Sequence, residues 1–162
     1  MSIDVRHAEL SDGETLARLR WAWRVEREPE TETAFGEAEF LAGFQSWWAD
    51  NHSRHLAVVA TYQTEVVGMG FLAVVGRVPN PGHLQRHHGD LQSVYVAPEH
   101  RGQGVGTRVV LELVGRAQEL GCDKVTVHAG RASVSLYERL GFARFERLLT
   151  LDLAPRSRST TA

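Results

Sequence analysis

The sequence predicts an α/β (α+β) fold, a sheet with helices packed on it, and three stretches carry that expectation. Leu91 to Val96 is a short apolar strand stopped by Pro98, the glycine-dense turn 101–107 opens into an amphipathic helix, and Lys124 to His128 reads as the next strand. Strand, helix, strand in one pass implies a right-handed parallel crossover. His55 to Tyr62 and Val66 to Val75 read as a hairpin joined by the polar turn Gln63-Thr64-Glu65. Ahead of that hairpin, two segments carry apolar residues at helical spacing.

Composition narrows the class. A chain of 162 residues is expected to form one domain, here 1–154, with a flexible polar tail over 155–162. A net charge of −2 gives no electrostatic case for nucleic acid or an anionic membrane surface. One cysteine rules out an internal disulfide framework and suits a reducing cytoplasm. No apolar run approaches the roughly 20 residues needed to span a bilayer, and Met1 to Leu10 lacks the apolar stretch of a signal peptide.

The elements follow in order. Ile3 to Ala8 alternates apolar and polar residues, as a half-buried strand does. Ser11 and Glu14 are spaced as a capping box for a helix whose apolar face is Leu16, Leu19 and Trp23, with Ala22 alongside. Pro29 stops it. Glu26 to Glu32 carries four glutamates against one arginine, either a solvated connector or a lip that attracts a cationic amine. Gly36 to Ala49 is a second helix with Phe40, Leu41, Phe44, Trp47 and Trp48 as its apolar stripe. Neighbouring side chains on a helix point about 100° apart, so one of Trp47 and Trp48 is expected to line the acceptor groove.

Gly68 and Gly70 weaken the interior of the second hairpin strand and suggest close backbone packing or a bulge. Gly76 to Gly89 has no hydrophobic period and reads as a loop rimming the site. Its His83, His87 and His88 lack the spacing of a fixed metal site, and no metal is expected. The central helix, 104–120, has Val105, Val109, Leu113 and Ala117 along one stripe, and Gly121 breaks it. Ser133 to Phe142 is a short helix with a Ser135–Glu138 capping box and Gly141 as its stop. Alternation at Phe145, Leu149, Leu151 and Leu153 makes Arg144 to Leu153 a last strand.

The strand–glycine turn–helix unit suits an anion. The first N–H groups of a helix have no partner inside it, and the macrodipole makes that end electropositive. Glycines remove the Cβ atoms that would hold a phosphate away. A P-loop would need Gly-Lys-Ser/Thr, but Gly106 is followed by Thr107 and Arg108. A dinucleotide fingerprint would need glycine where Thr107 stands. A ligand-free tight turn is the remaining alternative.

The segment Val96-Ala97-Pro98-Glu99-His100-Arg101-Gly102-Gln103-Gly104-Val105-Gly106 resembles the coenzyme A pyrophosphate loop of the GNAT superfamily of N-acetyltransferases. Leu136-Tyr137-Glu138-Arg139-Leu140-Gly141-Phe142 resembles that superfamily's Leu-Tyr-x-x-x-Gly-Phe signature, in the right order and spacing. The resemblance implies a central mixed, mostly antiparallel sheet of six to seven strands, about four flanking helices and one parallel β-α-β crossover.

By the same resemblance acetyl-CoA is the co-substrate. Main-chain N–H groups around Val94, Tyr95 and Val96 would hold the acetyl carbonyl. Those of Gln103, Gly104, Val105, Gly106 and Thr107, in the loop opened by Gly102, would hold the pyrophosphate, with Arg101 and the Thr107 hydroxyl assisting. Tyr137 would protonate the departing thiolate; the plainer alternative is a packed core ring. No motif fixes the general base. Asp90, His88, Glu99 and His128 are candidates, with Asp90 and His128 first because they stand at strand ends. Gly130 stands where many relatives have asparagine on the pantetheine arm.

Cys122 follows the far end of a helix roughly 25 Å long, at about 1.5 Å per residue, so a covalent acetyl-cysteine route is not expected. The expected activity is direct acetyl transfer to a small, cationic primary amine in a ternary complex. The competing reading is an acyl-CoA-binding sensor without transferase activity. The family often forms homodimers, but no segment here specifies one.

Overall fold

A computed structural model describes residues 3–29, 35–146, 148–151 and 153. Five strands stand side by side in chain order: β1 Ile3–His7, β2 His55–Tyr62, β3 Glu65–Arg77, β4 Arg86–Val96 and β5 Cys122–Val127. The first four pair antiparallel, and β4 pairs parallel with β5 across the crossover helix. The helices are α1 Gly13–Arg27, α2 Glu37–Asn51, α3 Val105–Glu119 and α4 Val134–Arg139.

Two cores form because the central strands are apolar on both faces. On one face Val105, Val109, Val110, Leu113 and Ala117 of α3 pack on Val58, Ala60, Leu72 and Leu91. On the other, Leu16 of α1 and Trp48 of α2 cover Ala57, Val59, Met69, Phe71 and Tyr95. In β2 the alternation Ala57, Val58, Val59, Ala60 feeds one core and then the other. Gly70 is the point of closest approach to α3. A Cβ there would lie 2.8 Å from both Leu113 Cδ1 and Val109 Cγ1, so the glycine is set by packing.

Several expectations need correction. The 76–89 segment is strand at both ends: the β3–β4 ladder runs out to Val75↔His88, Gly76↔His87 and Arg77↔Arg86, leaving 78–85 as the connection. A ladder needs backbone groups alone. At this end Val75 to Arg77 are exposed, so nothing demanded an apolar period. Nor does any residue of 76–89 line the main cavity, which opens toward the opposite end of β4. The Ser11–Glu14 capping box does not form. The chain first makes a single 3-10 turn, Leu10–Asp12, and the Glu9 N–H donates to the Asp12 carboxylate at 2.7 Å. Arg6 holds that carboxylate from the other side at 2.7 and 2.9 Å, while Glu14 pairs with Arg18. Ala22, expected beside the apolar face of α1, is exposed, and Ala17 is buried there instead.

The Ser135–Glu138 box is also absent, because α4 starts at Val134 and Glu138 pairs with Arg144 at 3.2 Å. Gly141 does close that helix, at φ +88. The last strand is missing from the described part of 144–153, so the sheet has five strands instead of six to seven. Leu149, Leu151 and Leu153 are 90%, 83% and 84% exposed, and alternation without a partner to complete the ladder does not make a strand.

Gly70→Ala should destabilise the fold by about 1–3 kcal/mol, the usual cost of overpacking a tight core. Denaturant unfolding measures it. An unchanged midpoint would show that Leu113 and Val109 can move aside.

Candidate active site

The site begins where the β4–β5 pairing stops. Their last register pair is Leu91↔Val127, and beyond it the side of β4 that faces β5 has no strand partner. On the β3 side the register also shifts between Met69 and Phe71, opposite Ser93, whose φ is +51. This bulge turns the end of β4 and leaves backbone groups around Val94, Tyr95 and Val96 free of the parallel ladder.

A 3-10 turn, Pro98–His100, then leads into the glycine turn. Gly102 and Gly104 have φ of +73 and +78, a conformation that strains any L side chain. No atom lies within 4 Å of where a Cβ would stand on either, so the approach to the loop is open. The first α3 bond runs from the Arg108 N–H to the Gly104 carbonyl at 3.1 Å. The N–H groups of Val105, Gly106 and Thr107 therefore have no partner inside the helix. Open donors at an electropositive helix end fit a diphosphate.

The split opens into a cavity of about 540 Å³ that crosses the sheet. Val94, Tyr95, Val96, Arg101, His128 and Tyr137 all line it, so six of the residues singled out from sequence share one space. Gly102 to Thr107 follow Arg101 directly but are not part of its wall. Asp90 is not in the wall either. Its carboxylate accepts a hydrogen bond from the Gln92 amide at 2.7 Å. His88 and Glu99 are also outside the wall. Burial, and then Lys124, push the His88 pKa down.

Arg101 does not point at the helix mouth. Its guanidinium donates to both carboxylate oxygens of Glu26 at 2.7 Å and to the Val96 carbonyl at 2.8 Å. The Tyr95 hydroxyl donates to the same carboxylate at 3.2 Å. The Arg101 hydrogen bonds hold Glu26 below the ordinary carboxylate range. Burial first, then the Glu26 hydrogen bond, push the Tyr95 phenol up. The sequence marked Glu26 merely as one acid in a run. Its distinguishing signal is position, on the last turn of α1 and facing the cavity.

Tyr137 sits on α4 with its ring buried edge-on to Phe142, 5.4 Å between centroids. Its hydroxyl has no hydrogen-bond partner among the described residues. It is not among the sealed, unpartnered atoms either, which are His55 Nδ1 and Arg116 Nε. Burial pushes its phenol up. Gly130 lines the cavity, and its carbonyl accepts from the Ser133 hydroxyl at 2.9 Å. Cys122 opens β5 beside His87, at the end of the sheet away from the glycine turn. Trp48 is 2% exposed and donates its indole N–H to the Glu9 carbonyl, whereas Trp47 is 37% exposed. Trp47 lines a separate apolar groove of about 390 Å³ with Phe40 and Phe44. Trp23, Ser93, Arg27 and Arg131 in the main cavity were not anticipated. The bulge that turns Ser93 inward leaves no mark in sequence.

Among the described residues no three His, Cys, Asp or Glu side chains stand together as a metal site. No described helix is long and apolar enough to cross a membrane.

A split parallel pair with an anion-ready helix mouth at one side defines an α/β protein whose site has the shape and donors to take a phosphate-bearing ligand. The family model described as the acetyltransferase (GNAT) family matches residues 16–142, and the chain belongs to that family. It is 33% identical over 88 residues to a glucosamine 6-phosphate N-acetyltransferase of Trypanosoma brucei brucei, covering 54% of this chain and 58% of that one. It is 33% identical over 69 residues to N-alpha-acetyltransferase MAK3 of Arabidopsis thaliana, covering 41% and 36%. The chain thus spans less than two thirds of these relatives. In fold it is similar to a protein of Clostridium acetobutylicum described as a predicted acetyltransferase and crystallised with acetyl-CoA. That match has a TM-score of 0.76 at 21% identity and covers 94% and 97% of the two chains.

Glu26→Gln should let Tyr95 ionise at lower pH, because the carboxylate that holds its proton is gone and Arg101 is left to favour the phenolate. Phenolate absorbance against pH, with Tyr95→Phe to assign the transition, checks this. An unmoved Tyr95 transition would mean that burial alone sets it.

Proposed function

We propose that this chain transfers an acetyl group from acetyl-CoA directly to the primary amine of a small acceptor, both bound together. The observation that carries the reading is the shared cavity, in which the free end of β4 and the unpartnered Tyr137 hydroxyl meet beside the glycine turn. When bound, acetyl-CoA supplies an activated acyl carbon and a thiolate leaving group.

Each role then follows from what a residue offers. Main-chain N–H groups at Gln103 to Thr107 grip the diphosphate, and those around Val94 to Val96 polarise the acetyl carbonyl. The amine nitrogen bonds to the acyl carbon as the carbon–sulfur bond breaks. Tyr137 gives its proton to the sulfur. Its raised pKa keeps that proton in place through neutral pH, and an uncommitted hydroxyl leaves it free to be given.

The acceptor arrives as an ammonium and must lose a proton to a base. His128, in the wall of the cavity, has the better position; Asp90 acts if a water bridges the gap. In the acidic stretch, Glu26 is tied to Arg101 and Glu28 to Arg24, so neither of these two acids is left to attract a cationic acceptor. Glu30 and Glu32 lie outside the described residues. Cys122 is distant from the cavity and its thiol is pushed up by burial, which supports direct transfer over an acetyl-cysteine. A single free cysteine supports a cytoplasmic setting. A homodimer is proposed on family grounds alone.

Incubation with acetyl-CoA and a panel of primary amines should release free thiol, whereas a sensor would bind acetyl-CoA and release none. Tyr137→Phe should lower kcat by about 100-fold or more with acetyl-CoA binding intact. The wild-type rate should fall on the alkaline side only above the ordinary tyrosine range near 10, since the acid must stay protonated. Unchanged turnover in the variant removes Tyr137 from the chemistry.

A further inference from the structure

The charges in the cavity do not balance. Arg27, Arg101 and Arg131 line it against one carboxylate, Glu26. Glu26 and Arg101 satisfy each other bidentately. Arg27 and Arg131 have no ion pair among the described residues, and the Arg27 guanidinium lies over the Trp23 ring at 5.1 Å. On the same ring, at 4.2 Å, lies the guanidinium of Arg20, half-buried and also without a carboxylate among the described residues. Burial, then Arg24 and Arg27, push the Arg20 pKa down, and among the described residues no carboxylate offsets them.

A helix dipole accounts for cations in the last turn of α1. It does not account for Arg20, two turns back and taken partly out of water. Burying an unpaired guanidinium is costly, so such a group persists where something else returns the cost. Nor is the diphosphate the obvious counter-ion. The helix mouth opens from α3 on one face of the sheet, while Arg20, Trp23 and Arg27 belong to α1, packed on the other.

We propose that Arg27, braced on Trp23 and backed by Arg20, and joined by Arg131 across the cavity, binds an anionic group on the acceptor. The acceptor is then a small primary amine that also carries a phosphate or a carboxylate. The planar guanidinium fork suits either group. This rests on the acetyltransferase reading above and names the acceptor class for it.

The test uses matched primary amines with acetyl-CoA: ethanolamine against O-phosphoethanolamine, propylamine against β-alanine, and putrescine as a dication. The anionic member of a pair should have the higher kcat/KM by at least about tenfold, the factor one charge-assisted hydrogen bond supplies. The phosphate and carboxylate arms show which group the site prefers. Arg27→Gln and Arg131→Gln should each shrink that ratio, and Arg27→Lys should restore part of it. Acetyl-CoA uptake in equilibrium dialysis should not change. Preference for the neutral amines or putrescine overturns the proposal. So does a loss of acetyl-CoA uptake in Arg27→Gln, which would give the arginine to the cofactor's phosphates. A thermal shift of wild type by O-phosphoethanolamine alone, lost in Arg27→Gln, reads the anion site without turnover. If wild type takes up no acetyl-CoA the transferase reading fails, and that shift still decides the anion site.

Discussion

The cavity exists because one pair of strands stops pairing. Parallel strands are joined through evenly spaced backbone bonds, and each further pair would have extended the sheet and closed the split. The bulge at Ser93 prevents it. With φ at +51, this residue turns β4 away from the line that β5 follows, and the ladder ends at Leu91 and Val127. Everything placed around the site depends on that departure. Backbone groups of β4 become available, the crossover helix presents its mouth at one side, and α4 brings Tyr137 to the other. Elsewhere a strand edge without a partner is a liability, but here it is enclosed, and a ligand can satisfy it.

The two faces of the sheet are tied together across this split. Glu26 from α1 meets Arg101 from the glycine turn, with Tyr95 as a third member. Both charged side chains are about two-fifths exposed, so the pair stabilises the fold by at most about 1 kcal/mol. Its consequence is geometric. It fixes the end of α1 over the cavity, and it uses up the one carboxylate that would otherwise have met Arg27 or Arg131. The acid in the wall thus acts on protein, and the cations left over set the sign of the space.

Sequence carried the local patterns well and the local chemistry of turns less well. The stripe on α3 was legible because five buried positions repeat at the helical period, and Gly121 and Gly141 because only a left-handed residue ends those helices so abruptly. Both proposed capping boxes failed for one reason. Spacing shows that two side chains could reach, but Glu14 is taken by Arg18 and Glu138 by Arg144. The outer part of the β3–β4 hairpin was illegible since its side chains, outside the helix layers, have no period to display. Alternation misled at the C-terminal leucines, where no partner strand completes a ladder. Across the site, motif spacing reached Tyr137, Arg101 and the glycine turn. It could not reach Trp23, Arg27 or Ser93, whose place depends on a helix angle and a bulge.

Two phenols line the cavity, and burial raises both above the ordinary tyrosine value. A raised pKa alone does not select the acid; what the proton is doing does. At Tyr95 it is committed to Glu26, and giving it up would set a phenolate beside a carboxylate. At Tyr137 it is committed to nothing among the described residues, and the wall around the ring is apolar, with Leu91, Val94 and Val127 among its neighbours in the cavity. A thiolate arriving there would be the strongest acceptor within reach, and the desolvation that makes the phenol reluctant in water presses equally on the thiolate to take the proton. On the proposed reading, the same low polarity that keeps Tyr137 protonated makes its proton useful, and position within the split is what would turn an ordinary core tyrosine into the acid.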